Sequence, residues 1–288
     1  MHILVGDNPF HGIKHLAQSE ARFRGGIRDV SYAVKLVLMS RDAGANGFML
    51  SVSDTTLAIL RGIRDGVTND FAIAAIIPYA YEYVRKSTVV GVIGLVKKFV
   101  NNVTRTLNIR AMYHALRAGM NLDLVDGLKA LVDYELNRVK DSYGSKPWTL
   151  MLHELIVDTL IPYGLVDVIA EVLEYIRGRG IVPGVETRNL PTVYDALRNY
   201  SIINYVVFAA PFNAVGFQMS PSRELYEEFV RRNPGKLIGF SVLAGGLLSP
   251  RDALEYVARF RDYLLGISIG VSREGQVSVF KLARELLG

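Results

Sequence analysis

Short runs of consecutive apolar residues alternate along the chain with stretches in which apolar residues recur every three to four positions. The first pattern marks parallel strands buried on both faces, and the second marks amphipathic helices. Strands are predicted at His2–Gly6, Phe48–Val52, Phe71–Ile77, Thr149–His153, Ile181–Val185, Tyr205–Ala209, Leu237–Ser241 and Tyr263–Ile267. One helical face carries Val30, Ala33, Val34, Val37 and Leu38, and another carries Leu165, Val168, Ile169, Val172, Leu173 and Ile176. Further helices are predicted over Arg223–Arg232, Pro250–Phe260 and Gln276–Leu287, with a short one after Pro191. Asp54 is the expected N-cap of a helix after the second strand. Eight strands alternating with helices predict an α/β fold, a (β/α)8 TIM barrel. A doubly wound open sheet is the alternative, although no Rossmann glycine spacing follows the first strand.

The rhythm breaks once. About seventy residues separate the third strand from the fourth, with helical patterns near Val84–Val103, Ile109–Ala118 and Val125–Val139. They predict an enlarged helical region, about 83–146, beside or over the barrel and within a single domain spanning 1–288. The charge is concentrated in the same place. The net charge is +5, yet no acidic residue lies between Glu82 and Asp123, a stretch holding Arg85, Lys86, Lys97, Lys98, Arg105, Arg110 and Arg117. Such a patch can attract anions. A solvated helical face, or one paired with Asp123, Asp126, Asp133 and Glu135, is the favoured explanation, and nucleic acid is not an expected partner.

Half the residues are hydrophobic and 21% are charged, which suits a well-filled core. The chain has no cysteine, so thiolate metal sites, iron–sulfur clusters, disulfides and a cysteine nucleophile are excluded. No basic segment precedes the first apolar run, so a signal peptide is not expected, and no apolar run is long enough to span a bilayer. A cytoplasmic protein is expected. Lack of cysteine with abundant Ile, Val, Tyr and Arg fits a thermostable one.

Active sites of barrels lie at the C-terminal ends of the strands. Reading only those positions gives Asp7, Asn8 and His11 after strand one, with His15 beyond. Ser51, Ser53 and Asp54 follow strand two, His153 and Glu154 strand four, and Glu186 to Asn189 strand five. Three of the five histidines, His11, His15 and His153, fall in this set. Histidine suits proton transfer near neutral pH. The candidate catalytic residues are therefore His153, Glu186, His11 and Asp7, with Glu186 as general base or ligand. Alternation allows only one of His153 and Glu154 to point inward. His11 and His15 have the spacing of a helical metal pair, but Pro9 and Gly12 argue for a loop there, and no metal ligand set is assigned. Glycines after strands seven and eight can expose backbone N–H groups to a phosphate, or can serve only as tight turns.

The second half of the chain resembles the aldo-keto reductase superfamily. Leu150-Met-Leu-His153 is similar to that family's strand-four segment, which ends in a catalytic histidine. Pro183-Gly184-Val185 is similar to its strand-five segment, followed here by Glu186 and Thr187. Ala210-Pro-Phe-Asn213 resembles the strand-six segment, which implies Phe212 as the ring stacked on nicotinamide, with Asn213 beside it. Ser241-Val-Leu-Ala-Gly-Gly-Leu-Leu248 resembles the pyrophosphate loop and implies contacts from Ala244, Gly245 and Gly246. Ile267-Ser-Ile-Gly-Val-Ser-Arg273 resembles the segment that binds the adenosine phosphate, which implies Gly270, Ser272 and Arg273. The first half departs from the pattern. The family's tyrosine acid after strand two and lysine at strand three are absent, since the chain reads Ser51-Val-Ser-Asp-Thr-Thr56 and Ile77-Pro78. The opening Gly6-Asp-Asn-Pro-Phe-His-Gly12 instead resembles the Gly-x-Asn-Pro-Phe-x-Gly start of a group of uncharacterised barrels distantly related to the reductases.

A barrel enzyme is expected, acting by acid–base chemistry on a small polar substrate, phosphorylated or nucleotide-like in view of the two glycine loops. Three alternatives stand beside it. They are an NADP-dependent oxidoreductase with a relocated proton donor, a metal-assisted hydrolase or lyase, and a ligand-binding barrel without turnover. NADP is the one cofactor the resemblance implies.

Overall fold

The computed structural model describes residues 1–11, 29–68, 70–79 and 124–288. Strands β1 (His2–Gly6), β2 (Gly47–Ser51), β3 (Ala72–Ile77) and β4 (Thr149–Leu152) pair in parallel in sequence order. Strands β5 (Val182–Glu186), β6 (Val207–Pro211), β7 (Leu237–Phe240) and β8 (Leu264–Gly270) continue the series. The ring closes between β8 and β1, with His2 opposite Gly266 and Gly6 opposite Gly270. The eight-stranded parallel barrel read from the sequence is the observed fold. The open sheet is not.

The consecutive apolar runs divide between two cores, as alternation along a strand requires. Leu4, Met49, Ala74, Ile76, Met151, Ala209, Ile238 and Phe240 fill the barrel interior. Ile3, Val5, Phe48, Leu50, Ile73, Ile77, Leu152, Val185 and Phe208 face the helices. Small residues let the wall close tightly. A Cβ on Gly47 would lie 2.4 Å from the Ala72 carbonyl oxygen, and one on Gly184 would lie 2.4 Å from Met151 Cγ. At the N-terminal end of the barrel His2 and Trp148 pack against each other, ring centres 4.4 Å apart and planes tilted by 31°.

The outer layer includes α1 (Val30–Asp42), α2 (Asp54–Ile63), α3 (Leu124–Tyr143), α4 (Glu154–Leu160) and α5 (Val166–Gly178). It continues with α6 (Leu190–Leu197), α7 (Arg223–Arg232), α8 (Pro250–Ala258) and α9 (Ser278–Leu287). Helix α3 is the described part of the enlarged region expected at about 83–146; the rest, with the basic segment, lies outside the described residues. Among the described residues no helix is long and apolar enough to cross a membrane.

Four local expectations are corrected. Ser53, not Asp54, caps α2: its hydroxyl accepts from the Thr56 N–H while Thr56 Oγ1 accepts from the Ser53 N–H, a reciprocal capping box. Asp54 begins the helix and pairs with Arg138 at 2.6 Å. Strand β6 starts at Val207 rather than Tyr205, because Ser201–Asn204 form a 3-10 turn whose end is Tyr205. Strand β8 runs on to Gly270, since Ser268 and Gly270 continue the pairing with β1 despite their turn-like composition. Helix α4 went unpredicted because it has only seven residues and a histidine at its cap.

The wall geometry predicts the cost of filling it. Gly47→Ala is expected to lose ~1–3 kcal/mol by overpacking against fixed backbone, measured by urea denaturation. Gly178→Ala, at an outer helix end with nothing within 4 Å of the added carbon, is expected to leave the midpoint unchanged or raised.

Candidate active site

The C-terminal mouth of the barrel brings together Asp7 from the loop after β1, His153 after β4, Glu186 at the end of β5 and Arg188 just beyond it. Interior alternation through Thr149 and Met151 continues to His153, and through Val182 and Gly184 to Glu186. Both side chains therefore reach the mouth, and their nearest atoms, His153 Nε2 and Glu186 Oε2, are 3.6 Å apart. Glu154 begins α4 and does not point into the barrel interior; its carboxylate lies at the rim of the mouth, 2.6 Å from Arg188 Nε.

His153 is also the N-cap of α4: its Nδ1 accepts the Leu155 N–H at 3.0 Å. A ring nitrogen that accepts carries no proton, so the neutral imidazole holds its proton on Nε2, facing Glu186. Burial lowers the His153 pKa, and the Arg188 charge adds to that, while Glu154 and Asp7 pull the other way. Protonating Nδ1 would further cost the cap. His153 is therefore a neutral hydrogen-bond donor at neutral pH.

Burial pushes the Glu186 carboxyl up to about 8, reinforced by the charges of Glu154 and Asp7 and opposed by Arg188 and the Glu154 backbone N–H. Its Oε2 is buried and makes no hydrogen bond. A carboxyl group titrating near 8 beside a neutral imidazole is the kind of perturbed pair that proton-transfer sites contain.

Two further groups hold this pair. Asp158, on α4, accepts from Thr187 Oγ1 at 2.5 Å and from the Arg188 N–H at 3.2 Å, and burial raises its pKa. Arg188 Nε lies 2.6 Å from Glu154 Oε2, and its guanidinium sits 5.9 Å from the centre of the Phe240 ring. Helix α4 thus binds the β4 end to the β5 end three times. On the other side Asp7 Oδ2 accepts the Ser51 N–H at 2.6 Å and lies 3.2 Å from His11 Nε2. The His11 ring stacks on Tyr79 at 4.4 Å. Asn8 lies in the same 3-10 turn as His11. His15 and His114 lie outside the described residues.

The residues expected to hold a dinucleotide behave differently. Phe212 is fully buried on the helix side, packed on Tyr256 and Phe260 with ring centres at 5.5 and 5.2 Å, so it offers no face to a nicotinamide. Strand parity explains it, because Pro211, not Phe212, is turned with Ala209 to the interior. Asn213 is consumed in a loop clip, donating to the Phe217 carbonyl and accepting from the Phe217 N–H. In the strand-seven loop Ala244 has φ +49, Gly245 φ +70 and Gly246 φ +101. This left-handed run turns the loop in on itself: the N–H groups of Ala244, Gly246, Leu247 and Leu248 donate to loop carbonyls. The Ser272 N–H and hydroxyl both donate to Gln276 Oε1. Gly270 accommodates Pro9, whose Cγ would lie 2.9 Å from an added Cβ. Arg273, exposed near the N-terminus of α9, stands open to an anion. The residues present do not fit the nicotinamide contacts that the resemblance implies.

Sequence reasoning left Phe240 and Asp158 out and gave Arg188 and Glu154 no role. Phe240 was accessible through the inward alternation Ile238, Phe240. Asp158 carried no signal, because α4 was not foreseen.

No protein-family model matches the chain, and no curated protein matches it in sequence. Two solved structures from Pseudomonas aeruginosa, each described as a "putative aldo-keto reductase", superpose with a TM-score of 0.60 at 13% identity. They cover 99% of this chain, and the match takes in 91% and 90% of theirs. The likeness is one of fold.

Because Glu186 binds its proton more tightly folded than unfolded, its contribution to stability is full below its ordinary range near 4.5 and is lost as pH rises through about 8. Glu186→Gln removes the charge that must be buried. Its melting temperature is expected to match the parent near pH 4 and to exceed it by ~3 °C or more at pH 9. An equal difference at both pH values would show that Glu186 titrates normally.

Proposed function

We propose that this chain is an enzyme that moves a proton on a small polar carbonyl compound at the C-terminal mouth of the barrel. The observation that carries the reading is the His153–Glu186 pair, in which the cap bond fixes the imidazole proton on Nε2 and burial raises the carboxyl. In its ionised form Glu186 takes a proton from the carbon next to the carbonyl. His153 Nε2–H donates to the carbonyl oxygen as negative charge gathers there. Reprotonation by Glu186 closes the cycle, with Asp158 and Glu154 holding the β5 end in place. The paired carboxylate Asp7 and His11 form the opposite wall.

Deuterium exchange tests this without knowing the substrate. A panel of small hydroxycarbonyl compounds incubated with the protein in deuterated buffer is expected to lose the signal of the proton next to the carbonyl for at least one member. The rate should climb with pH through about 8 as Glu186 ionises. Glu186→Gln should abolish exchange. His153→Asn, whose side-chain oxygen can still cap α4, should slow it by about 100-fold while keeping the fold. Normal exchange in both variants refutes the mechanism.

A second reading, a nicotinamide-dependent oxidoreductase, is supported by the fold shared with the two Pseudomonas proteins. The buried Phe212 and the self-satisfied strand-seven loop count against it. Titration with NADPH, followed by nucleotide fluorescence, is expected to show no saturable binding at micromolar concentration; saturation there would favour the reductase.

A further inference from the structure

Three buried polar atoms at the mouth make no hydrogen bond: Glu154 Oε2, Glu186 Oε2 and Arg188 Nη1. Arg188 Nε and Glu154 Oε2 form an ion pair at 2.6 Å, so their charges offset, but the contact does not satisfy Glu154 Oε2 as a hydrogen bond and leaves Arg188 Nη1 without a partner. Buried polar groups are almost always satisfied, and a cluster of unsatisfied ones in a cleft implies that a ligand or water completes it. The Arg188 backbone is held in place. Its carbonyl accepts from Tyr226 Oη at 2.6 Å and from the Ser220 N–H at 3.0 Å, and its N–H is taken by Asp158.

The mixture of groups selects the ligand. A carboxylate or phosphate would satisfy Arg188 Nη1 but would set another negative charge against Glu154 and Asp7 and leave both acceptors empty. An ammonium group would satisfy the acceptors and leave the guanidinium empty. A hydroxyl does both, donating its proton to a carboxylate oxygen and accepting from a guanidinium N–H. Two acceptors and one donor side by side suit adjacent hydroxyls. Phe240, buried at the mouth and 5.9 Å from the guanidinium, supplies an apolar wall for the C–H face of such a ligand.

We propose that Glu154, Glu186 and Arg188 form a recognition site for a neutral ligand with adjacent hydroxyl groups, a polyol or sugar. This rests on the reading of the mouth as the substrate site and narrows the substrate from a small polar carbonyl compound to an uncharged polyhydroxylated one.

The test is ligand-observed NMR on the full chain with glycerol, ribitol, xylitol and myo-inositol, with malonate and inorganic phosphate as anionic comparators. Saturable binding of at least one polyol is expected, weakened about tenfold or more in both Glu154→Gln and Arg188→Lys, with circular dichroism confirming that each variant is folded. Binding of malonate or phosphate in preference to every polyol, or polyol binding indifferent to both substitutions, overturns the proposal. Failure of the two ideas is separable. Polyol binding without deuterium exchange removes the proton-transfer reading and leaves the recognition site. Exchange on a carbonyl compound that lacks adjacent hydroxyls, with no polyol bound, does the reverse.

Discussion

Everything at the mouth depends on the closure of the ring between β8 and β1. Five residue pairs, from His2 with Gly266 to Gly6 with Gly270, join the last strand to the first. A parallel strand cannot leave its edge unpaired without exposing a row of donors and acceptors, and closure removes both edges at once. It also sets what meets what. Asp7 follows β1 and Glu186 ends β5, on opposite sides of the ring, yet the charge on Asp7 reaches Glu186 and helps raise its pKa. Side chains from distant parts of the chain share one electrostatic neighbourhood only because the sheet returns to its start.

Helix α4 is the second structural commitment. It has only seven residues, too few to be stable alone. It persists through its attachments: the His153 cap, the Glu154–Arg188 ion pair and the bonds from Thr187 and Arg188 to Asp158. Those are the contacts that orient the candidate catalytic pair. Stability of the helix and geometry of the site are therefore the same set of interactions, and neither can be altered without the other.

Alternating apolar runs made the barrel legible, and the strand ends pointed to His153, Glu186, Asp7 and His11. What stayed hidden was orientation. Whether Phe212 or Pro211 faces inward is a one-residue matter of parity, and the chain Val207-Phe-Ala-Ala-Pro-Phe is apolar at every position, so composition gives no sign of it. The glycines at 245 and 246 looked like a phosphate cradle, whereas their left-handed backbone closes the loop on its own carbonyls. Asp158 was invisible because it acts through a helix that periodicity cannot register.

The cap bond on His153 carries a stereochemical consequence. With Nδ1 committed to the backbone, the ring has a single working nitrogen and cannot relay a proton from one side of itself to the other. In the proposed reaction, Glu186 then carries the proton both away from carbon and back to it. A proton that leaves a ligand and comes back through one carboxyl group stays on one face, so the reaction proposed for this site would be suprafacial.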